Sequence, residues 1–74
     1  MFITATDADT KGVVGFDPTR VGYFYTRPRG PDMVEFHIFL DIGDKPALVH
    51  FSLSAEEATS FSDLLVQAIH ESKK

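Results

Sequence analysis

Apolar residues recur at every second position in residues 34–42 and again in residues 47–53, and this alternation constrains the fold more than any other feature of the chain. In residues 33–42 the apolar set is Val34, Phe36, Ile38, Leu40 and Ile42. In residues 47–53 it is Ala47, Val49, Phe51 and Leu53. A period of two is typical of a β-strand, because successive side chains point to opposite faces of a sheet. The stretch therefore predicts two strands that turn one apolar face toward a covering element.

Residues 43–46, Gly-Asp-Lys-Pro, have the composition of a turn and predict that the two strands form a hairpin. A four-residue loop predicts a register in which every apolar residue meets another, and a slip of one residue would destroy this match. The predicted apolar pairs are Ile42 with Ala47, Leu40 with Val49, Ile38 with Phe51, and Phe36 with Leu53. On the opposite face the predicted pairs are His37 with Ser52, Phe39 with His50, and Asp41 with Leu48.

The residues after Leu53 change to helical spacing. Ser54 and Glu57 form the Ser-x-x-Glu pattern of a capping box, which predicts that a helix starts at Ser54. The apolar residues that follow form one stripe, made of Ala58, Phe61, Leu64, Leu65, Ala68 and Ile69. This stripe needs a surface to cover, and the apolar face of the hairpin supplies it. Residues 73–74 are predicted to form a loose tail.

The first half of the chain contains three shorter segments with the composition of strands, at residues 2–6, 13–16 and 21–27. Gly22 predicts a bulge in the third segment, and residues 28–32 predict a loop after it. The whole pattern predicts an α+β fold, with an antiparallel β-sheet of about four strands and one C-terminal α-helix packed on one face. We expect residues 1–72 to form a single domain.

Length and composition limit how such a domain is stabilised. The chain has 74 residues and no cysteine, so disulfides and thiolate metal sites are excluded. A domain of this size buries only about 60% of its unfolded surface, so we expect self-association to supply further stability. No apolar run reaches the roughly 20 residues of a membrane helix, and residues 1–9 lack a signal-peptide pattern. We therefore expect a cytoplasmic protein with no membrane partner.

The second face of the hairpin is where a function is expected. Its candidate binding residues, together with those of the preceding strand and loop, are Tyr23, Tyr25, Arg27, Arg29, Glu35, His37, Phe39, Leu48 and His50. Tyr23, Tyr25 and Arg27 join this face only if Phe24 points to the core, which the sequence leaves open. Contiguous exposed apolar area is typical of an interaction site. The sequence therefore predicts a non-enzymatic protein-binding module that acts through its helix-free sheet face, with a second copy of itself, another protein, or both as partner. A homodimer is expected, and an inhibitor or adaptor of phage or bacterial type fits the same description.

A single-stranded nucleic-acid-binding protein is the first alternative. Basic and aromatic residues interleave around Tyr23, Tyr25 and Arg27, as single-strand binding requires. The net charge of −4, from 11 acidic and 7 basic residues, disfavours this function because binding to phosphates depends on positive charge.

A small His/carboxylate metal-dependent enzyme is the second alternative. In the predicted register His37 and His50 are diagonal neighbours. Glu35 then lies near His37 but far from His50, and Asp41 lies near His50 but far from His37, so three ligands do not converge. Ser52 is the one candidate nucleophile, and nothing around it in the sequence activates it. We therefore expect no metal, no cofactor and no catalytic residue.

Overall fold

A computed structural model describes residues 2–72. The elements are β1 (Ile3–Thr6), β2 (Val13–Phe16), a 3₁₀ turn (Pro18–Arg20), β3 (Val21–Arg29), β4 (Met33–Ile42), β5 (Lys45–Ser54) and α1 (Ala55–Ser72). The α+β class and the C-terminal helix are therefore confirmed. The tail predicted at residues 73–74 lies outside the described residues.

The strands form two antiparallel sheets, so the prediction of one sheet of about four strands is wrong. β1 pairs only with β2, while β3, β4 and β5 form a meander in chain order. The reason lies at the outer edge of β5. There the Ala8 N–H donates to the Ser52 carbonyl at 2.9 Å, and the Ser52 N–H donates to the Asp7 carboxylate at 3.3 Å. The turn after β1 thus occupies the backbone N–H and C=O of Ser52, with which β1 would have to pair in order to join the three-stranded sheet.

The hairpin of β4 and β5 is confirmed, but its predicted register is wrong by two residues. The loop has two residues rather than four, and Ile42 pairs with Lys45. Gly43 has a φ of 62°, which suits the first position of a type II′ turn. Pro46 belongs to the strand and not to the turn. The backbone N–H of Ser52 points away from β4, and the same holds for every second residue along β5, including position 46. Proline has no N–H, but at this position an N–H would point to the open edge of the sheet, so no hydrogen bond between the strands is lost.

A shift of two residues leaves each side chain on its predicted face, so the division into an apolar and a mixed face is confirmed. On the apolar face Phe36 and Phe51 pair directly, with ring centroids 5.3 Å apart, and Phe61 of α1 meets both rings edge-on. The other buried apolar residues are Ile3, Ala5, Phe16, Val21, Ile38, Leu40, Leu53, Ala58, Leu65 and Ala68. The core therefore lies between α1 and the sheets.

The predicted start of the helix is confirmed. α1 begins at Ala55, and the Glu57 N–H donates to Ser54 Oγ at 3.3 Å, as an N-cap requires. The predicted stripe is buried or half-buried with one exception, since the side chain of Leu64 is 52% exposed. Within residues 2–72, no helix combines the length and hydropathy that a membrane crossing requires.

β3 differs from its prediction at one end. Pro28 and Arg29 continue the strand instead of forming a loop, and Gly30 follows with a positive φ of 69° at the turn into β4. The bulge predicted at Gly22 is confirmed by a register shift between Val21 and Tyr23.

Candidate functional site

The three-stranded sheet has one face that α1 does not cover, and we call it the helix-free face. Phe24 pairs with Ile38 and points toward the core, so the orientation that the sequence left open is resolved in favour of an outward Tyr23 and Tyr25. The helix-free face therefore brings together every predicted binding residue: Tyr23, Tyr25, Arg27, Arg29, Glu35, His37, Phe39, Leu48 and His50.

One row of rings crosses all three strands of this face. Tyr25 of β3 stacks on His37 of β4 with a centroid distance of 4.8 Å and an angle of 6°. His37 in turn lies 4.6 Å from the ring of His50 on β5. The predicted register placed His37 opposite Ser52, whereas the observed pairing is His37 with His50. The two imidazoles are therefore direct cross-strand neighbours.

The residue pairs between β4 and β5 on this face are non-hydrogen-bonded pairs, in which the facing Cα atoms lie closest together. Because the backbone N–H and C=O of Ser52 bond outward to Asp7 and Ala8, Ser52 and Glu35 form a non-hydrogen-bonded pair. His50 and His37, two residues along each strand, have the same geometry. Such pairs hold their Cα atoms about 4.5 Å apart, which brings facing side chains close together.

A second row is apolar. Tyr23 stacks on Phe39 with a centroid distance of 4.4 Å, and Phe39 pairs with Leu48 on β5. The predicted register paired Phe39 with His50 and Leu48 with Asp41. Both pairings are wrong, because the observed register differs from the predicted one by two residues. Tyr23 is 60% exposed and Leu48 is 55% exposed, so this row presents apolar area to the surface.

Glu35 lies at the centre of a polar group on the same face. Its Oε1 is 3.1 Å from His37 Nε2 and 3.8 Å from His50 Nε2. The hydrogen bond from His37 is the main cause that lowers the pKa of Glu35 below its ordinary value of 4.5. Since an ionised carboxylate cannot donate, the Nε2–H of His37 is the donor at neutral pH. The expectation that Glu35, His37 and His50 do not converge is therefore wrong.

Arg29 links this group to the turn after β1. Its guanidinium pairs with the Asp9 carboxylate, donates to Ser52 Oγ at 3.2 Å, and lies 3.9 Å from Glu35 Oε2. Ser52 is buried and faces Glu35, so its predicted pairing with His37 is wrong. The hydrogen bond to Asp9 raises the pKa of Arg29.

The sequence did not indicate any role for Asp7 or Asp9. Both lie in a segment whose composition indicates an ordinary polar turn, and no local pattern signals that this turn docks against Ser52. Asp7 accepts hydrogen bonds from the Asp9 N–H, the Ser52 N–H and the Thr10 hydroxyl, and the first of these is the largest cause of its lowered pKa.

An open groove lies elsewhere, between β1 and the first half of α1. It is lined by Thr4, Ala5, Thr6, Leu53, Glu56, Glu57, Ser60, Phe61 and Leu64. It contains none of the predicted binding residues, and it explains why Leu64 is exposed although it belongs to the apolar stripe.

Comparison with protein-family models, with curated proteins and with solved structures finds no match for the chain. The helix-free face is therefore interpreted from its own geometry.

Proposed function

We propose that the protein is a non-enzymatic interaction module that forms a homodimer through its helix-free face. The observation that carries the proposal is the row of Tyr23, Phe39 and Leu48, which crosses all three strands of the sheet. Its two outer members, Tyr23 and Leu48, are each more than half exposed. No element among residues 2–72 covers this row. Contiguous apolar surface of this kind is typical of an interface.

The charges at the two ends of the face favour a second copy of the chain as the partner. Arg27 lies at one end of the face, and Asp41 lies at the other end on β4. A two-fold axis in the plane of the interface and perpendicular to the strands reverses the strand direction. It therefore brings Arg27 of one protomer toward Asp41 of its partner, while the apolar row of each protomer meets the partner's row of Tyr25, His37 and His50 in the middle.

The size of the face suits a small interface. Three strands and seven residues span an area of about 14 by 23 Å at ordinary sheet spacing. Two such faces pack with their strand directions within about 30°. The resulting buried area lies at the low end of specific protein–protein interfaces, so we expect a dimer that dissociates on dilution.

Leu48 and Leu64 provide a matched test, because the exposed fractions of their side chains are 55% and 52% and they lie on different sides of the molecule. Leu48→Arg places a charge inside the proposed interface, and we expect it to weaken association at least about tenfold. Leu64→Arg adds the same charge away from it and should leave association unchanged. The measurement is sedimentation velocity over a dilution series. A wild-type monomer at every concentration, or equal effects of both variants, would refute the proposal.

The proposed orientation has its own test. Arg27→Asp and Asp41→Arg each place like charges opposite one another across the two-fold axis, and each should weaken the dimer. The variant that carries both changes restores opposite charges and should regain most of the lost affinity. If the double variant is weaker than either single variant, the two-fold arrangement is wrong.

Single-stranded nucleic acid is the second candidate partner, because Tyr25 is 43% exposed and lies beside Arg27 on the same strand. The electrostatics support it less. Arg29 is already paired with Asp9, and the net charge is −4. A phosphate-driven complex loses affinity steeply with salt, so oligonucleotide binding with a steep salt dependence would favour this candidate over the homodimer.

A further inference from the structure

Three side chains on the helix-free face point metal-binding atoms at one another. They are Glu35, His37 and His50, and their ligand atoms all lie within 4.8 Å of one another. Around a tetrahedral ion with bonds of 2.0–2.1 Å, ligand atoms are separated by about 3.3 Å. The observed distances from Glu35 Oε1, 3.1 Å to His37 Nε2 and 3.8 Å to His50 Nε2, lie on either side of that value.

The three ligands are held by the sheet rather than by flexible segments. Glu35 and His37 are two residues apart on β4, the central strand, and His50 faces His37 from β5. The ring of His37 stacks on Tyr25 and lies beside the tilted ring of His50, and its side chain is only 14% exposed. A metal ion would therefore meet a site that needs only small side-chain rotations.

The surroundings supply an outer shell and a suitable charge. Arg29 lies 3.9 Å from Glu35 Oε2, the oxygen that does not face the histidines, and so orients the carboxylate. Asp9 pairs with that Arg29, and Asp7 accepts a hydrogen bond from the backbone N–H of Ser52, two residues from His50 on β5. Three carboxylates and one guanidinium leave a local balance of two negative charges when both histidines are neutral. This balance favours a divalent cation.

We propose that Glu35, His37 and His50 of a single chain bind a divalent transition-metal ion of the Zn²⁺ type. Two imidazoles and one carboxylate suit Zn²⁺ and its neighbours in the first transition series, whereas Mg²⁺ and Ca²⁺ prefer oxygen ligands alone. The ion takes the place of the proton between His37 Nε2 and Glu35 Oε1, and His37 binds as the tautomer with its proton on Nδ1. His50 is half exposed, so a water molecule completes the coordination from the solvent side.

The test is a titration of the untagged, metal-free protein with Zn²⁺ by calorimetry, and with Co²⁺ followed by its visible absorption. We expect one ion per chain. His50→Ala removes an exposed ligand with little risk to the fold, and we expect at least about a tenfold loss of affinity, since even outer-shell changes cost that much. Glu35→Gln should give a similar loss. His70→Ala removes an exposed histidine at the end of α1 and serves as the control, with affinity unchanged.

The metal site does not depend on the proposed dimer, and the two can fail separately. The titrations are repeated in the Asp41→Arg background, which weakens the dimer at a position outside the ligand set. Binding of one ion per chain in a monomer supports the site, whatever the fate of the dimer. Binding that appears only in the dimer, that survives His50→Ala, or that is lost with His70→Ala would overturn it, and so would the absence of binding.

Discussion

The register of β4 and β5 decides which side chains meet on the helix-free face, and an engineered disulfide tests it directly. Phe39 and Leu48 face each other in a non-hydrogen-bonded pair. The Cα distance in such a pair, about 4.5 Å, lies within the range of natural disulfides. The chain has no cysteine of its own, so the double variant Phe39→Cys/Leu48→Cys contains a single pair of thiols.

The size of the effect follows from the loop that the bond closes. The bond encloses about ten residues, and the loss of loop entropy in the unfolded chain corresponds to about 2.7 kcal/mol at 25 °C. For a domain of this length, each kcal/mol raises the melting temperature by about 4–8 °C. We therefore expect the oxidised variant to melt roughly 10–20 °C above the same variant after reduction. Comparing two redox forms of one variant removes the effect of the lost side chains.

The assay is thermal unfolding followed by circular dichroism with and without reductant, together with a count of free thiols. The control is Phe39→Cys/His50→Cys. Its two positions face each other in the register derived from a four-residue loop, but they are diagonal in the structure, about 7–8 Å apart. If the control pair oxidises readily and Phe39→Cys/Leu48→Cys does not, the observed register and the cluster of Glu35, His37 and His50 are both wrong.

Two further predictions concern stability. Phe51→Ala removes a fully buried ring that contacts Phe36 and Phe61, and it should lower the free energy of unfolding by about 3–5 kcal/mol in urea titrations. The exposed control Val66→Ala should change this free energy by less than about 0.5 kcal/mol. A loss below about 1 kcal/mol for Phe51→Ala would contradict the packing of the core. Asp7 has a lowered native pKa, so its stabilising contribution is present above its ordinary pKa of 3.8 and is lost as the pH falls toward the native value. The stability difference between the wild type and Asp7→Asn should therefore shrink below about pH 4, and a difference that stays constant through acid titration would exclude this role.

The assignment of residues to the two faces of the hairpin could be predicted because side-chain direction is a local property of a strand. Phe36 and His37 point to opposite faces whatever strand they pair with. For the same reason the prediction survived an error of two residues in the register. The start of α1 was equally local, because Ser54 and Glu57 interact across one helical turn.

The register was not predictable from composition alone. The turn composition of residues 43–46 predicts that Lys45 and Pro46 belong to the loop. In the folded protein Pro46 lies in an edge strand, at a position where its missing N–H costs no ladder hydrogen bond. Whether a strand lies at an edge depends on the arrangement of all the strands, which a hairpin sequence does not contain.

The amino-acid sequence by itself determined that one face of the hairpin lies under a helix and that the other carries histidines, acids and Phe39, since these features follow from the periods of strand and helix. Only the tertiary structure decided that Glu35, His37 and His50 meet, and that Asp9 reaches Arg29 from a position 20 residues earlier in the chain. Those contacts depend on register and on the docking of a turn at a sheet edge. Both are decided by which backbone hydrogen bonds remain available once the whole chain has folded.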